Sequence, residues 1–402
     1  MMQNVLAGVK VVDVTMFAFM PMVGGVLSHW GADVIKVESP KSCDPMRLLS
    51  GGTLEPGGAY QSFKNYNRGK RAVAIDLSSA EGQAVLYKLV ESADVFLTSY
   101  LPATRRKLKV DVDDIREHNP NIVYVKGSGQ GPRGPEAERR AYDAAAWWAR
   151  GSLADTAMRN AGTEWPTGMA GHGDTMCGTV LAGGVCAALL ERERTGVARV
   201  VDGSLMGTAL WFNHQPIIAA GLGTTWGGGR TARENHPPSL NTYRTKDGRF
   251  LTLCFVNDPD EDWADLCRHL GHAELATDDR FSTSSARMAN RAAGVQLLDE
   301  IFAQKTLGEW KEALRTNHGV WAPVQTPAEM HSDPQVIANG FIRTVEYPPG
   351  PIHLPVPPVL FDEEAGDIRR APDFCEHTDE VLAEVGYTPE DLIRLRADGV
   401  VA

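Results

Sequence analysis

The segment Val9–Glu38, VKVVDVTMFAFMPMVGGVLSHWGADVIKVE, decides the fold of this chain. It begins with a near-continuous apolar run of strand length at Val9–Val14 and ends with a second one at Asp33–Glu38. Such runs are typical of parallel strands that are buried on both faces. The residues between them predict a helix that ends near Trp30. A strand, a helix and a strand in this order form a βαβ unit, so the segment predicts a parallel sheet with a right-handed crossover.

The same alternation continues along the first half of the chain, with further strands predicted at Arg71–Asp76, Asp94–Thr98 and Asn121–Lys126. Ser78 and Glu81 match a capping box for the helix after the first of these strands. No G-x-G-x-x-G motif opens the helix after Val14, so we expect no NAD or flavin site there. The first half therefore predicts an α/β fold without a dinucleotide fingerprint.

The second half changes character. Residues 197–225 are predicted to be helical and apolar. The Asp247-Gly248 turn predicts a hairpin whose return strand is Leu251–Val256, and helices are expected to about Asn317. We therefore predict three regions: a large domain over residues 1–225, a small α+β domain over 226–328, and a return segment over 329–402 that completes the large domain.

Within the predicted return segment, the Pro-rich stretch Tyr347–Pro358 is expected to be extended. A final helix is predicted near Thr378–Val385.

Composition narrows the function classes. The net charge of −11 argues against generic nucleic-acid binding, although local basic clusters can still bind anions. The six cysteines form no C-x-x-C pair, which is typical of reduced thiols in a cytoplasmic protein and predicts neither a disulfide frame nor a zinc site. We expect no signal peptide, no membrane-spanning run and no bound metal.

The most informative polar motif is Gly171-His172-Gly173-Asp174, which precedes a helical run over Thr175–Arg194. Val180, Leu181, Val185, Leu189 and Leu190 keep helical spacing and predict one buried face. Two interpretations of Asp174 stay open from these residues. It is the N-cap of the helix, or an ionised and pre-oriented carboxylate able to act as a nucleophile or base, and the two roles do not exclude each other.

Two loops offer binding groups. Arg105, Arg106 and Lys107 follow a predicted strand, where open α/β sheets bind ligands, but a basic triplet is also typical of a solvated face. Gly227-Gly228-Gly229 lies in a glycine-rich loop whose simplest interpretation is a flexible linker.

Together these residues resemble the class III coenzyme A transferases, which include formyl-CoA transferase and the carnitine and bile-acid CoA transferases. The resemblance extends over some 380 residues. It is carried by Leu6–Asp13, Gly31–Glu38, Asn67–Arg71, Gly173-Asp174, Arg194–Gly196, Val201–Leu205, Thr242–Gly248 and His377–Leu382.

The resemblance implies a Rossmann-like large domain built from the N- and C-terminal parts of the chain, an inserted small domain, and an interlocked homodimer. It implies that Asp174 attacks an acyl-CoA thioester, passes through a mixed anhydride and an aspartyl-CoA thioester, and delivers coenzyme A to an acceptor acid without a metal or redox cofactor.

The resemblance also assigns site residues. Gly227, Gly228 and Gly229 match a loop that closes over the aspartyl intermediates. The positions that match contacts to coenzyme A are Phe17, Ala18, Phe19, Ile75, Ser99, Tyr100, Arg105, Arg106, Lys107, Arg140 and Tyr142. The loop Met16–Met22 is bulky and apolar where formyl-CoA transferase has a glutamine for a small polar acid, so we expect a hydrophobic carboxylic acid as substrate.

The segment Tyr142–Gly151 looks most like the branch that acts on aryl, 2-hydroxyacyl and bile-acid CoA esters. Trp147 and Trp148 are interpreted either as walls of a roomy acyl pocket or as core residues.

The rival in the same superfamily is α-methylacyl-CoA racemase, whose catalytic histidine is replaced here by Tyr142, with His172 as a candidate replacement. A non-catalytic acyl-CoA-binding protein, or a relative that resembles a decarboxylase-like isomerase, is the other alternative. Cys177, three residues after Asp174, is expected to be a core thiol.

Overall fold

The computed structural model describes residues 4–161, 168–225, 233–366 and 368–402. In these ranges the chain alternates strands and helices through its first half, as the βαβ pattern predicted. The strands are β1 Lys10–Val14, β2 Asp33–Glu38, β3 Arg71–Ala74, β4 Val95–Thr98, β5 Val123–Ser128, β6 Val200–Ser204, β7 Thr242–Arg244, β8 Phe250–Leu253, β9 Trp321–Pro323, β10 Ile342–Val345 and β11 Ile352–Pro355.

The α-helices follow the same chain order. They are α1 Phe19–His29, α2 Gln61–Tyr66, α3 Ala80–Glu91, α4 Pro102–Leu108, α5 Val112–His118, α6 Leu153–Ala161, α7 His172–Thr195, α8 Leu205–Phe212, α9 His214–Gly221, α10 Asp260–Leu270, α11 Ser284–Ala289, α12 Arg291–Phe302, α13 Leu307–Ala313, α14 Pro334–Ala338, α15 Thr378–Glu384 and α16 Pro389–Ala397.

Six strands form one parallel sheet in the order β3-β2-β1-β4-β5-β6. Val12 of β1 lies opposite Ile35 on one side and Phe96 on the other, which fixes the register at the centre of the sheet. The strand order runs outward in opposite directions from β1 and β4. Loops that leave the carboxyl ends of these two strands diverge, and open α/β sheets bind ligands in the crevice that results.

Alternate residues of the central strands face two separate cores. Val11 and Leu97 belong to one core with α1 and α7, whereas Val12 and Phe96 belong to the other core with α3 and the carboxy-terminal helices α15 and α16. Because side chains of a strand alternate between faces, a run that is apolar at every position needs cover on both faces. This explains why Val9–Val14 reads as a continuous apolar run.

The chain divides into two compact units. The first contains Met1–Met158, Glu164–Ile218 and Pro334–Ala402, and the second is made mainly of Ala219–Asp333. The sequence-predicted domain boundaries stay predictions.

The second unit is built on an antiparallel sheet in the order β7-β8-β9. Its β7–β8 hairpin confirms the turn predicted at Asp247-Gly248, and Gly248 takes a φ of +77° that glycine adopts without strain. The core of this unit is aromatic, with Trp263, Phe302 and Trp310 all at most 1% exposed.

Three local predictions are wrong. Residues 197–225 begin with strand β6, which pairs with β5, and become helical only from Leu205. The N-cap of α3 is Ser79, whose hydroxyl accepts from Gly82 N, while the Ser78 hydroxyl donates to Asp76. A further helix, α16, follows the helix near Thr378 that was expected to be the last.

Helix α7 also differs from expectation. It buries Cys177, Leu181 and Val185 against the core that contains α1, but Val180 and Leu190 of the predicted buried face are about half exposed. By length and composition alone α7 could cross a membrane, whereas the sequence led us to expect no such run.

Candidate active site

A cavity of about 460 Å³ opens at the carboxyl ends of the central strands of the first unit. Its walls come from the loop after β1, the loop after β4, the end of β5 and the start of α7. The lining residues are Met16, Phe17, Ala18, Phe19, Met20, Ser99, Tyr100, Leu101, Thr104, Gly127, Ser128, Gly129, Arg139, Arg140, Ala141, Tyr142, Asp174 and Leu205. The cavity therefore lies where the strand order predicts a ligand crevice.

The loop after β1 is held in an unusual backbone conformation. Phe17 has a φ of +67°, which a bulky residue rarely adopts, and such strain concentrates at functional sites. Met16 N donates to Ser99 Oγ at 3.0 Å, and Phe17 N donates to Asp44 Oδ1 at 3.1 Å. The Phe17 ring meets the Tyr142 ring edge-on at a centroid distance of 5.3 Å. The loop is thus fixed through its backbone and presents aromatic surface to the cavity.

Asp44 belongs to a buried group of charges that we call the paired cluster: Asp13, Lys36, Asp44 and Lys70. Lys36 Nζ lies 2.9 Å from Asp44 Oδ2, and Lys70 Nζ lies 2.7 Å from Asp13 Oδ2. All four side chains are 0% exposed. Lys36 Nζ also donates to Thr15 O at 3.0 Å, so the cluster holds the chain on both sides of Met16.

Burial lowers the pKa of Lys70 to about 8, and the nearby carboxylate of Asp13 limits that fall. For Lys36 the neighbouring carboxylates, with Asp44 foremost, outweigh burial, and its pKa lies above the usual value. Each positive charge of the paired cluster is therefore matched by a buried carboxylate.

The amino end of α7 carries the second group of buried acids. The helix begins at His172 after Gly171, whose φ is +77°, so Asp174 lies in the first turn and is not the N-cap. The cap comes from elsewhere in the chain, because Asp143 Oδ2 accepts from Gly171 N at 3.0 Å. The N-cap interpretation of Asp174 is therefore wrong: Gly171 is the N-cap residue, and its N–H group donates to the carboxylate of Asp143.

Gly173 makes this arrangement possible. A Cβ at residue 173 would lie 2.2 Å from Trp147 Cγ and 2.3 Å from Asp143 Oδ1. Real Cβ atoms do not approach heavy atoms so closely, so only glycine lets the first turn of α7 rest on these two side chains. The Gly-Asp motif thus combines a close backbone contact with the adjacent carboxylate.

Asp174 itself has an uncompensated carboxyl group. It is half-buried, and it makes no side-chain hydrogen bond or ion pair with any residue that the structure describes. Burial, followed by the neighbouring charge of Asp143, raises the pKa of Asp174 to about 7. Burial also raises the pKa of Asp143, while the N–H groups of Gly171, Asp174 and Gly173 favour its ionised form. We call Asp143 and Asp174 the carboxylate pair.

The structure brings most of the sequence-predicted site residues together. Eight of them line the cavity: Phe17, Ala18, Phe19, Ser99, Tyr100, Arg140, Tyr142 and Asp174.

Four predicted residues do not line this cavity. Ile75 is 0% exposed and packs in the core on the other face of the sheet, so its side chain is not available to a ligand. Arg105 is buried, with Nε 3.0 Å from Asp111 Oδ1 and Nη1 2.8 Å from Tyr100 O. Arg106 is paired with Glu138 at 3.3 Å, and Lys107 is exposed. The basic triplet is therefore mainly engaged with the protein's own oxygens or with solvent.

Other candidates from the sequence also have structural positions. Trp147 is 5% exposed and packs against Gly173, and Trp148 stacks on Trp147 at 6.4 Å, so neither forms a wall of the cavity. His172 is exposed and does not line the cavity. Cys177 is 1% exposed, and burial raises the pKa of its thiol to about 12. A core thiol was the expected role of Cys177.

Gly227, Gly228 and Gly229 lie outside the residues that the structure describes. Their predicted role in closing over the site stays a prediction.

Sequence reasoning missed two acids that organise the site. Asp143 caps α7 from the segment before it, and Asp44 holds the backbone of Phe17. Asp44 is followed by proline, which is typical of a turn or helix start, but nothing local indicates that its carboxylate reaches back to the loop after β1. Asp143 lies beside the apolar residues Ala144–Ala149 without capping their helix, and an acid in such a setting is a weak signal of a distant partner.

Known proteins resemble this chain over nearly its whole length. The model of CoA-transferase family III matches residues 6–378. An (R)-2-hydroxy-4-methylpentanoate CoA-transferase from Clostridioides difficile is 30% identical, with 98% of this chain and 99% of that protein aligned. A cinnamoyl-CoA:phenyllactate CoA-transferase from Clostridium sporogenes is also 30% identical, with 98% and 97% aligned. The crystal structure of a CAIB/BAIF family protein from Brucella suis superposes with a TM-score of 0.81 at 29% identity, over 94% of this chain and 99% of that one.

Proposed function

Since this chain belongs to CoA-transferase family III and is a CoA-transferase, we propose that it moves coenzyme A from an acyl-CoA thioester to a free apolar carboxylic acid through covalent intermediates on Asp174. The observation that carries this proposal is the state of the Asp174 carboxyl group. It lies on the cavity wall without a hydrogen-bond or ion-pair partner among the described residues, in the first turn of α7. A carboxylate whose oxygens are not engaged by the protein is available for attack on an electrophile.

The proposed reaction proceeds in four balanced steps. An Asp174 oxygen attacks the thioester carbonyl, the C–S bond breaks, and a mixed anhydride and CoA thiolate result. The thiolate attacks the aspartyl carbonyl of the anhydride, which expels the donor acid as its carboxylate and leaves an aspartyl-CoA thioester. The acceptor carboxylate attacks this thioester and expels the thiolate. The thiolate then attacks the acceptor acyl carbonyl and frees the Asp174 carboxylate. Because every step exchanges one acyl bond for another, the energy of the thioester is kept.

The electrostatics of the site support the first step. With its pKa near 7, Asp174 remains more basic than an ordinary aspartate. A more basic carboxylate is the better nucleophile, but it must be ionised to attack. We therefore expect the rate of the acylation step to rise with pH and to level off above about pH 7.

The walls of the cavity support an apolar substrate. Met16, Phe17, Phe19 and Met20 form one side, and Tyr142 extends the aromatic surface. Two relatives are named for branched or aromatic acyl groups, namely 2-hydroxy-4-methylpentanoate and cinnamoyl with phenyllactate. We therefore place branched or aromatic carboxylic acids above formate, oxalate or succinate as substrates of this chain.

Cations at the mouth of the cavity support binding of the anionic parts of acyl-CoA. Arg139 and Arg140 both line it and both are exposed. Arg139 is paired with Glu136 at 3.2 Å, whereas Arg140 makes no ion pair with the residues that the structure describes. A guanidinium that is not already paired suits a phosphate or an acceptor carboxylate. We assign this role to Arg140 first.

We also propose a homodimer. Large apolar side chains on α8 and α9 are exposed, including Trp211 at 75%, Leu210, Phe212 and Ile218. Contiguous exposed apolar surface marks an interaction site. Size-exclusion chromatography with light scattering is expected to give twice the chain mass of 43.7 kDa. A monomer at micromolar concentration would contradict the proposal.

The decisive experiment traps the covalent intermediate. The enzyme is incubated with cinnamoyl-CoA, isovaleryl-CoA or succinyl-CoA, quenched with and without hydroxylamine, and digested for peptide mass spectrometry. We expect a CoA adduct or a hydroxamate on the peptide that contains Asp174, strongest with the apolar donors. The control is Asp174→Asn, which keeps the side-chain size and is expected to give an unmodified peptide.

An unmodified wild-type peptide with every donor would contradict the nucleophile assignment. If the α proton of a 2-methylacyl-CoA then exchanged with deuterated solvent without any free acid, the racemase alternative would replace it.

A further inference from the structure

We propose that Asp143 is the positioning residue for Asp174: Asp143, and not Asp174, accepts a backbone N–H group at the amino end of α7, which leaves the oxygens of Asp174 free. This inference rests on the proposed role of Asp174 as nucleophile. It goes beyond it by assigning a function to a carboxylate that does not line the cavity.

The first support is that Asp143, and not Asp174, accepts a backbone N–H group at the start of α7. An acid in the first turn of a helix usually satisfies the free N–H groups there. Here Asp143 Oδ2 accepts from Gly171 N at 3.0 Å, and among the described residues no cap bond comes from the helix's own side chains. Asp174 therefore does not cap α7, although its position near the start of the helix in the sequence predicts that it would.

The second support is that the Asp143 side chain contacts the amino end of α7 and does not cap its own helical stretch. Asp143 begins the helical stretch Ala144–Ala149, yet its side chain makes no cap bond to that stretch. Asp143 is 8% exposed, and Asp143 Oδ1 lies so close to Gly173 that a Cβ there would be 2.3 Å away. A buried charge placed against another helix is costly unless that helix compensates it. Asp143 Oδ2 accepts from Gly171 N, whereas Asp143 Oδ1 has no hydrogen-bond partner among the described residues. The N–H groups at the start of α7 oppose the rise in the pKa of Asp143 that burial causes.

The third support is electrostatic. The amino end of a helix stabilises a carboxylate and, acting alone, would make Asp174 a weaker base and a weaker nucleophile. A second carboxylate beside it opposes this effect. The charge of Asp143 acts in the same direction as burial, and both raise the pKa of Asp174. The positive field at the amino end of α7 therefore favours the ionised form of Asp143, while the raised pKa of Asp174 keeps its carboxylate a good nucleophile.

Other titratable groups around Asp174 do not supply this effect. Tyr66 on α2 and Cys177 on α7 have raised pKa values from burial and stay neutral near pH 7. His172 precedes Asp174 by two residues and is exposed, and Arg139, Arg140 and Tyr142 lie on the cavity wall at the exposed side. Positive charge on Arg139 or Arg140 would lower the pKa of Asp174, so Asp143 is the group that opposes them.

The test compares Asp143→Asn with wild type. The amide oxygen can still accept from Gly171 N, but the negative charge is gone. We expect the midpoint of the rising limb of the pH–rate profile to move to lower pH by roughly half a unit to one unit. We also expect the plateau of kcat to fall by roughly threefold to tenfold, because a less basic carboxylate is a weaker nucleophile. KM for acyl-CoA should change less than twofold, because Asp143 does not touch the cavity.

A second readout does not depend on activity. Protonated carboxyl groups react with a water-soluble carbodiimide and glycine ethyl ester, and mass spectrometry of the Asp174 peptide gives the extent of labelling at each pH. The labelling midpoint should move in the same direction in Asp143→Asn. The control is Asp113→Asn, an exposed acid on α5 with the same change in net charge, for which neither midpoint should move.

The outcomes separate the two proposals. If Asp143→Asn leaves both midpoints at the wild-type pH, the electrostatic role of Asp143 is excluded and it is a cap only. If the labelling midpoint moves but no donor modifies Asp174, the positioning role stands and the proposed function fails. Should Asp143→Asn not fold, Asp143→Ser, which keeps a smaller neutral acceptor, gives the same two measurements.

Discussion

The paired cluster and the carboxylate pair both contact or include residues of the cavity wall, but they differ in what compensates the charge of their acids. In the paired cluster each carboxylate faces an ammonium group, as Asp44 faces Lys36 at 2.9 Å and Asp13 faces Lys70 at 2.7 Å. In the carboxylate pair neither acid has an ion pair among the described residues: Asp143 accepts from Gly171 N, and its charge adds to burial in raising the pKa of Asp174. The first arrangement fixes a backbone loop, and the second keeps a carboxyl group reactive. A buried acid is structural or chemical according to what compensates it.

The largest expected effect comes from breaking the paired cluster. Asp44→Ala leaves Lys36 charged and buried and removes the acceptor for Phe17 N, so we expect the free energy of unfolding to fall by about 3–5 kcal/mol. Urea denaturation followed by circular dichroism measures it. The double variant Lys36→Met/Asp44→Leu removes both charges and should recover part of the loss. A single variant as stable as wild type would show that this ion pair contributes no stability.

For the carboxylate pair we expect the loss of a charge to raise the free energy of unfolding. Asp174 has a pKa of about 7 in the folded protein and an ordinary value of 3.8, so between these values the folded state binds more protons than the unfolded state. Its contribution to stability is therefore full below about pH 4 and is lost as the pH rises through 7. We expect Asp174→Asn to be more stable than wild type at pH 8 by about 2–4 kcal/mol.

This gain should shrink towards zero at pH 4, where wild-type Asp174 is neutral as well. Urea denaturation at pH 4, 6 and 8 measures the trend. A constant difference at all three pH values would argue against an ionised, destabilising Asp174.

A steric change at Gly173 should disturb the carboxylate pair without altering any charge. In Gly173→Ala the new methyl group meets Trp147 and Asp143, so we expect a loss of about 1–3 kcal/mol in stability. We also expect turnover to fall by roughly 100-fold, because Asp174 is displaced. The matched control is Gly183→Ala in the same helix, where a Cβ meets nothing within 4 Å. It should stabilise the protein by up to about 1 kcal/mol.

The smallest expected effect comes from an ion pair on the surface. Arg106 and Glu138 are 62% and 54% exposed at a distance of 3.3 Å, so Arg106→Ala should change the free energy of unfolding by less than about 0.5 kcal/mol. Arg105→Ala, which removes a buried guanidinium bound to Asp111 and Tyr100, should cost clearly more. The same two variants test whether either arginine binds coenzyme A, since a lost phosphate contact raises KM for acyl-CoA.

Local patterns predicted the fold well where the physical cause is local. The apolar runs at Val9–Val14 and Asp33–Glu38 predicted the centre of a parallel sheet, and Asp247-Gly248 predicted a hairpin. Strand β6 was missed because its five residues, VVDGS, lead directly into an apolar helix and give little periodic signal of their own.

The site was harder to predict because its acids act across the chain. The sequence placed Asp174 at the start of a helix, but the residue that caps this helix lies 28 positions from Gly171. The hydrogen bond that fixes Phe17 likewise spans 27 positions to Asp44. Periodicity and capping rules describe neighbours within one or two turns, so such long-range compensation is visible only in the folded chain.

The start of α7 is more tightly packed than the exposed part of the cavity wall. This difference has a consequence for protein engineering. Positions 143, 147, 171 and 173 are tightly packed: a Cβ at residue 173 would collide with Trp147 and Asp143, and one at residue 171 with the Tyr66 hydroxyl. Randomising them in a directed-evolution library would mostly yield inactive clones. Met16 and Tyr142 line the cavity, are at least partly exposed, and neither cap a helix nor pair a charge. A small library at these two codons, screened with acids of graded length, is where new acyl preferences should be sought.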